Sequence, residues 1–295
     1  MLNHLNEKNK HPSKLLIVGA TGFVGSAIKK RYESENSTNC VGITRNEVDL
    51  LSEGASEILG NYLDDKTTLV VACAKAPCKN YAMMIENALM LQPICDAIQK
   101  QKPKHTVYIS SDAVYADSMY RLSENSPLGA QNSHGMMHAM REVMLKDATN
   151  QICPLAILRP TLIYGDDDPH NGYGPNSFRR LAKKGEAISL YGKGEELRDH
   201  VSIKDVAEIT VRVILRRSEG VLNIASGQTI SFFEIATLTV ENSVYDVAIN
   251  TTKRMGEMPH NGYRPFDESA TLQAFPDFSY VPPREGMVDV ILNES

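Results

Sequence analysis

No apolar run in this chain approaches the roughly 20 residues a membrane-spanning helix needs. The first thirteen residues, "MLNHLNEKNKHPS", lack the apolar stretch of a secretory signal and read as a disordered start. No CxxC pair occurs. The five cysteines (Cys40, Cys73, Cys78, Cys95 and Cys153) are irregularly spaced, which points to free thiols in a reducing compartment rather than a disulfide framework. No Lys/Arg block is present and the net charge is −5, so neither nucleic acid nor a membrane surface is expected as a partner. Short repeats and low-complexity tracts are also missing. These absences leave a cytoplasmic protein of 295 residues, long enough for a large core.

What is present is most telling in "KLLIVGATGFVGSAIKKRY", residues 14–32. A short apolar run suits a buried parallel strand, and a helical pattern follows it. Between them stand Gly19, Gly22 and Gly25. In that order the first glycine permits a tight turn. The second lets backbone approach a pyrophosphate, and the third lets the helix pack on the strand. The N–H groups at the helix start then face the phosphates. Phe23 and Val24 complete the segment assigned to cofactor.

The second strand, "CVGITR", ends about 20 residues beyond the glycines. An NAD site would carry Asp or Glu there, to accept from the ribose 2′-hydroxyl. This chain has Thr44 and Arg45 instead, which favours the 2′-phosphate of NADP while leaving NAD possible. Asp49 and Leu50 are placed to reach the adenine. In "TTLVVACAKAP", Ala72, Ala74 and Ala76 leave room for a ligand; Lys75 either meets phosphate or turns outward. Strand and helix alternate through "NYAMMIENALMLQPICDAIQKQ" and "KHTVYISSDAVYA", the pattern of an α/β fold with a Rossmann-type, doubly wound parallel sheet.

By "ISSDAVYA" the chain resembles the extended short-chain dehydrogenase/reductases of the nucleotide-sugar epimerase/dehydratase/reductase group. GATGFVG, "LAILRPTLIYG", "ISLYGKGEELRDHVSIKDVAE", "GVLNIASGQTISFFEIA" and "RPFDESATLQAF" extend the resemblance from Lys14 to about Ile291. It implies a dinucleotide-binding domain over 14–165, to which a strand near 222–225 returns. A smaller C-terminal substrate lobe over 166–295 would grip a nucleotide-linked sugar. It also implies that Pro160 lines the nicotinamide and that Arg198 meets the substrate diphosphate, unless Arg198 forms an ion pair with Asp199 or Asp205. A homodimer through the helices near 80–100 and 134–150 is implied as well.

The resemblance requires a Ser or Thr, a tyrosine acid/base, and a lysine four residues after the tyrosine on the same helix face. Ser111 fits the first position. The segment aligned with YGxSKxxxE reads "HGMMHAMRE", so His134 stands for the tyrosine and His138 for the lysine. Tyr62–Lys66, the literal YxxxK, lies before the strand "TTLVV", where it cannot reach the nicotinamide. A neutral imidazole exchanges protons near pH 7, so His134 can serve as acid/base; His138 lacks a lysine's reach, charge and three donors. Asp112 keeps the acid of the family's dehydratases, but Ala113 replaces their glutamate, which argues against 4,6-dehydration and for a 4-ketoreductase or epimerase. Two other readings stay open. One is a catalytically impaired NADP(H)-binding regulatory or structural protein. The other is an HxxxH metal pair needing a third ligand such as Asp112 or Cys73; no metal is assigned.

Overall fold

Leu15–Val18 are buried on both faces, as a central strand of a parallel sheet must be. In a computed structural model describing residues 2–35 and 39–293, they belong to the second strand of the chain. Elements are numbered in chain order. β1 (Asn3–His4), β2 (Lys14–Val18), α1 (Phe23–Glu33), β3 (Cys40–Ile43), α2 (Ala55–Gly60), β4 (Thr67–Val71), α3 (Tyr81–Gln101), β5 (His105–Ile109), α4 (Ser133–Thr149) and β6 (Leu155–Pro160) come first. β7 (Leu162–Tyr164), α5 (Pro175–Lys183), β8 (Ile188–Tyr191), β9 (Leu197–Ser202), α6 (Ile203–Leu215) and β10 (Ser218–Ile224) follow. β11 (Thr229–Ser231), α7 (Phe232–Glu241), β12 (Ile249–Thr252), β13 (Tyr263–Arg264), α8 (Ser269–Ala274) and α9 (Pro283–Asn293) complete the order.

Contacts divide the chain into two units. The first holds residues up to Ala116, Ser126–Pro160 and Val206–Ile224. Its sheet runs β1-β10-β6-β5-β4-β2-β3, parallel except for β1. The chain leaves β2 for β3 on one side and returns to β4 on the other. The carboxyl ends of β2 and β4 therefore form the switch point where such sheets bind ligands. Leu16, Leu69, Leu91, Ile94, Ile98 and Leu145 pack α3 and α4 against the strands. Both helices start on an asparagine cap: Asn80 accepts from the Met83 N–H and Asn132 from the Gly135 N–H.

The second unit holds Asp117–Asn125, Thr161–Asp205 and residues from Ala225 onward. β9 is its hub, pairing with β7, β11 and β13, while β8 pairs with β12. Phe178, Ile188, Leu190, Phe232 and Ile235 form the core under α5 and α7.

Two expectations change. Residues 2–13 are not a disordered start: Asn3–His4 pair with Ser218–Glu219, the Asn6 N–H donates to the Arg216 carbonyl, and the Lys10 N–H donates to that of Leu215. Backbone pairing supplies what the side chains, being polar, do not advertise; Met1 lies outside the described residues. The unit boundary falls at Pro160 rather than 165, and most of α6 joins the first unit because its apolar face, with Val206, Ile209, Val213 and Ile214, is buried. Among the described residues no helix is long and apolar enough to cross a membrane.

Candidate functional site

The glycine segment sits at the switch point. Gly19 has φ +90°, and a Cβ there would lie 2.8 Å from the Cys73 nitrogen at the end of β4. At Gly25 a Cβ would come within 2.1 Å of the Gly19 carbonyl, so the start of α1 closes directly on the turn. Gly22 differs: a Cβ would meet only the Gly19 carbonyl, at 3.3 Å. Protein packing demands glycine at the first and third positions, whereas the second leaves backbone bare toward an incoming group. Gly22 also caps α1 without any side-chain hydrogen bond to the first-turn N–H groups.

A cavity of about 380 Å³ opens beside this turn, lined by Gly19, Gly22, Thr44, Arg45, Asp49, Leu50 and Ala74 among others. Seven assigned positions thus come together. Phe23, Val24 and Pro160 are not among its walls, and Gly25 serves the packing of α1. The open Gly22 backbone and this apolar-floored cavity fit a dinucleotide's adenosine and phosphate portion. At the rim, the Thr44 N–H and hydroxyl both donate to the Glu47 carboxylate, at 2.8 and 2.5 Å. The Thr44 hydroxyl and amide hold that carboxyl below its ordinary range. Arg45 is largely exposed, with Nε 3.5 Å from Asp49 Oδ2. Lys75 also lines the cavity, its Nζ paired with Glu86 at 2.5 Å, and Asn87 grips its backbone N–H and carbonyl.

Ser111 caps a short 3-10 turn, Asp112–Val114, accepting from the Ala113 N–H at 3.2 Å; its Oγ lies 3.5 Å from Asp112 Oδ1. The first turn of α4 lies directly on that turn, because a Cβ at Gly135 would fall 2.0 Å from the Ala113 carbonyl. His134, the preceding residue, lies in that same first turn of α4. His134 is half-buried and its Nδ1 accepts from the Cys78 N–H at 3.4 Å. The His134 and His138 rings meet edge to face, with centroids 4.8 Å apart.

His138 is buried, with Nδ1 2.8 Å from the Tyr108 hydroxyl. Burial above all, then the neighbouring His134 and Arg141, pushes its pKa well below the ordinary imidazole value. It is therefore neutral, unlike the lysine that the sequence resemblance expects there. Arg141, one turn further along, is fully buried; it donates to Asn87 Oδ1 at 3.1 Å and to the Cys73 carbonyl at 2.7 Å. Beneath this layer the Ser110 hydroxyl and Arg159 bind the Glu142 carboxylate, Arg159 with two nitrogens at 2.8 and 2.6 Å. Arg159 also donates to Tyr115 Oη, which donates to Asn223. Among the described residues no three of His, Cys, Asp or Glu are grouped to hold a metal ion.

In the second unit, Arg198 pairs with Glu196 at 3.0 Å, not with Asp199 or Asp205 as its structural alternative supposed. Those two carboxylates are engaged locally. Asp199 accepts from the Thr161 hydroxyl and the Ser226 N–H, and burial pushes it up to about 7 against those bonds. Asp205 accepts from the Val281 N–H. Arg264 was given no role from sequence, yet β13 pairs with β9 so that Arg264 stands directly beside Arg198. Asp117 binds Arg264 at 3.1 Å and also His260. Only the strand register could have revealed that arginine pair. Asp168, in the acidic run 166–168, is buried and receives hydrogen bonds from Asn176 and His170.

The NAD dependent epimerase/dehydratase family model matches residues 15–225. The dTDP-L-rhamnose 4-epimerase of Burkholderia thailandensis is 24% identical over 316 aligned positions, covering 84% of this chain and 86% of that protein. Among solved structures the chain is similar to a GDP-L-fucose synthetase from Naegleria fowleri bound to NADP. There the TM-score is 0.82 at 17% identity, over 98% of this chain and 96% of that one. It is also similar to the UDP-glucuronic acid 4-epimerase from Bacillus cereus in complex with UDP-glucuronic acid and NAD. There the TM-score is 0.80 at 18% identity, over 96% of this chain and 100% of that one. At such identities the structural likeness speaks to the fold alone.

Proposed function

We propose, from the premise that this chain belongs to the NAD dependent epimerase/dehydratase family, that it is an NADP(H)-dependent enzyme acting on a nucleotide-linked sugar, of 4-ketoreductase or epimerase type. The observation that carries this reading is the close approach of α4 to the Ser111 turn at Gly135 and Ala113. It brings the turn of α4 that carries His134 against the turn that Ser111 caps. When bound, the nicotinamide supplies the carbon that gives or takes hydride. Ser111 donates to the reacting sugar oxygen, and His134 gives that oxygen its proton or removes it. Asp112 flanks the pair, and Ala113 offers no carboxylate for water elimination.

The Gly22 backbone receives the pyrophosphate, Asp49 and Leu50 the adenine, and Arg45 the 2′-phosphate. Glu47, the carboxylate at the rim, is already bound to Thr44 and so does not compete for a ribose hydroxyl. In the second unit, Arg198 and Arg264 stand side by side on paired strands. Each is held by a carboxylate, Glu196 and Asp117 respectively, and a diphosphate would accept bidentate hydrogen bonds from the pair.

A panel of nucleotide-linked 4-keto and 4-hydroxy sugars tests the reading. Hydride transfer is expected with at least one member, with NADPH preferred over NADH. Arg45→Ala is expected to narrow that preference about tenfold, roughly 1.4 kcal/mol. Tight NADPH binding with no transfer across the panel sinks the enzyme reading in favour of a regulatory binding protein. The observation favouring that second reading is His138, neutral and buried where an ammonium belongs.

The chain is further read as a cytoplasmic homodimer. Tyr81, Ile85 and Leu89 expose apolar surface along one face of α3, and Met136 and Val143 do so on α4, which packs beside it. Contiguous apolar surface of this kind marks an interface. Light scattering is expected to give twice the 32.6 kDa chain mass; a monomer at micromolar concentration rejects the dimer.

A further inference from the structure

Residues 72–76 follow β4 outside any strand, so their backbone groups need partners other than a ladder. The Ala72 N–H donates to the Val18 carbonyl at 3.0 Å. Beyond it the partners are side chains. Asn87, fully buried on α3, accepts from the Lys75 N–H at 2.9 Å and donates to the Lys75 carbonyl at 3.0 Å. Arg141, fully buried on α4, donates to the Cys73 carbonyl at 2.7 Å and to Asn87 Oδ1 at 3.1 Å.

The same segment is a wall of the cavity beside the glycine turn, where Cys73, Ala74 and Lys75 all line it. It is also pressed against the turn itself, since a Cβ at Gly19 would lie 2.8 Å from the Cys73 nitrogen. Cys73 therefore has the turn at its nitrogen and Arg141 at its carbonyl. A guanidinium carries its donors on a rigid plane, so one side chain fixes the spacing of two oxygens. Here one oxygen belongs to α3 and the other to the cavity wall.

Arg141 is a costly residue to bury. Its hydrogen bonds run to neutral oxygens, its guanidinium lies 5.6 Å from the centre of the Tyr108 ring, and among the described residues its Nε has no hydrogen-bond partner. A cation surrounded by neutral groups is penalised by desolvation. An apolar side chain at 141 would avoid the penalty and leave the Cys73 carbonyl without this donor. What the charge achieves is the hold on the wall.

We propose that Arg141 is a positioning residue for the cofactor: through the Cys73 carbonyl and Asn87 it holds residues 73–75 where the adenosine half of NADP(H) meets them. The inference rests on the reading of this cavity as the cofactor site. It makes the shape of the cavity depend on α4, the helix that carries His134 about two turns earlier.

Full-length Arg141→Met and Arg141→Lys test this. NADPH and adenosine 2′,5′-bisphosphate are titrated, and amide hydrogen exchange is read on the cofactor-free proteins. Methionine keeps much of the arginine stem and removes the donors. Arg141→Met is expected to weaken both ligands by about tenfold, equally, because the wall meets the half they share. Exchange is expected to quicken at Ala74 and Lys75 and to stay unchanged in β6 and β10. Arg141→Lys keeps the charge without the planar fork, and is expected to fall between, at about threefold. Wild-type NADPH affinity in Arg141→Met overturns the proposal, as does unchanged exchange at Ala74 and Lys75. Exchange quickened throughout the fold also overturns it, since that marks a general structural role. If Arg141→Met does not fold, Arg141→Lys decides, and wild-type affinity and exchange in it reject the hold. Failure of the cofactor reading shows elsewhere, as a wild-type chain that does not bind NADPH.

Discussion

Glu142→Ala is expected to destabilise the protein by about 3–5 kcal/mol, because it leaves Arg159 as an unpaired buried charge. Both partners are almost wholly buried: side-chain exposure is 1% for Glu142 and 3% for Arg159. Two nitrogens of the guanidinium bind the carboxylate, and Ser110 fills a further acceptor site. Truncation therefore orphans donors on β6 and at the end of β5 together. Those strands are neighbours in the sheet, and the segment after β5 carries Ser111. The comparison that isolates charge from packing is Glu142→Leu combined with Arg159→Met. Replacing a buried ion pair by apolar groups of similar size is far less costly than breaking it. Urea unfolding of the two variants measures the difference; a loss below about 1 kcal/mol in Glu142→Ala refutes the account.

His134→Ala is expected to lower kcat by roughly 10²–10⁴-fold, the usual worth of a positioned acid/base. NADPH affinity should hold, since the ring is not among the walls of the cavity beside the glycine turn. Single-turnover NADPH oxidation and a fluorescence titration separate the two effects. Undiminished kcat would remove His134 from the chemistry. Restoring the tyrosine and lysine of the related enzymes is not a simple reversal here. A lysine at 138 would bury an ammonium next to the Arg141 guanidinium, and the two charges would repel. Arg141 would have to change as well.

The glycine turn after β2 was legible because its constraints are local. A tight turn, a bare backbone and a helix packed on a strand are met by three residues within seven positions, and each leaves a glycine. The alternation of strands and helices was equally plain. The spacing of "HGMMHAMRE" located the histidines, yet not their states. His138 hydrogen-bonds Tyr108, thirty residues away on β5, and Arg141 beside it is anchored by a carbonyl beyond β4. Arg264 went unassigned because its partnership with Arg198 is a matter of register between distant strands. Arg198 itself found Glu196, two residues before it, rather than the adjacent Asp199, since neighbours along a strand point to opposite faces. Asp168 is buried despite its charge because Asn176 and His170 solvate it from within the chain, partners that its sequence neighbours do not announce.

The two-residue strand at the amino end has a consequence for how this protein survives in a crowded solution. β10 is an outer strand of the parallel sheet, and its sequence, "SEGVLNI", carries Val221, Leu222 and Ile224. An outer strand of that kind offers its N–H and carbonyl groups to any other chain that can align with it. Asn3 and His4 occupy the start of that edge, and the segment to Lys10 is tied across the preceding turn. The polar opening residues thus act as a guard against edge-to-edge aggregation. A truncation that looked harmless because it removed only hydrophilic sequence would leave β10 as an open template for fibrils or precipitates.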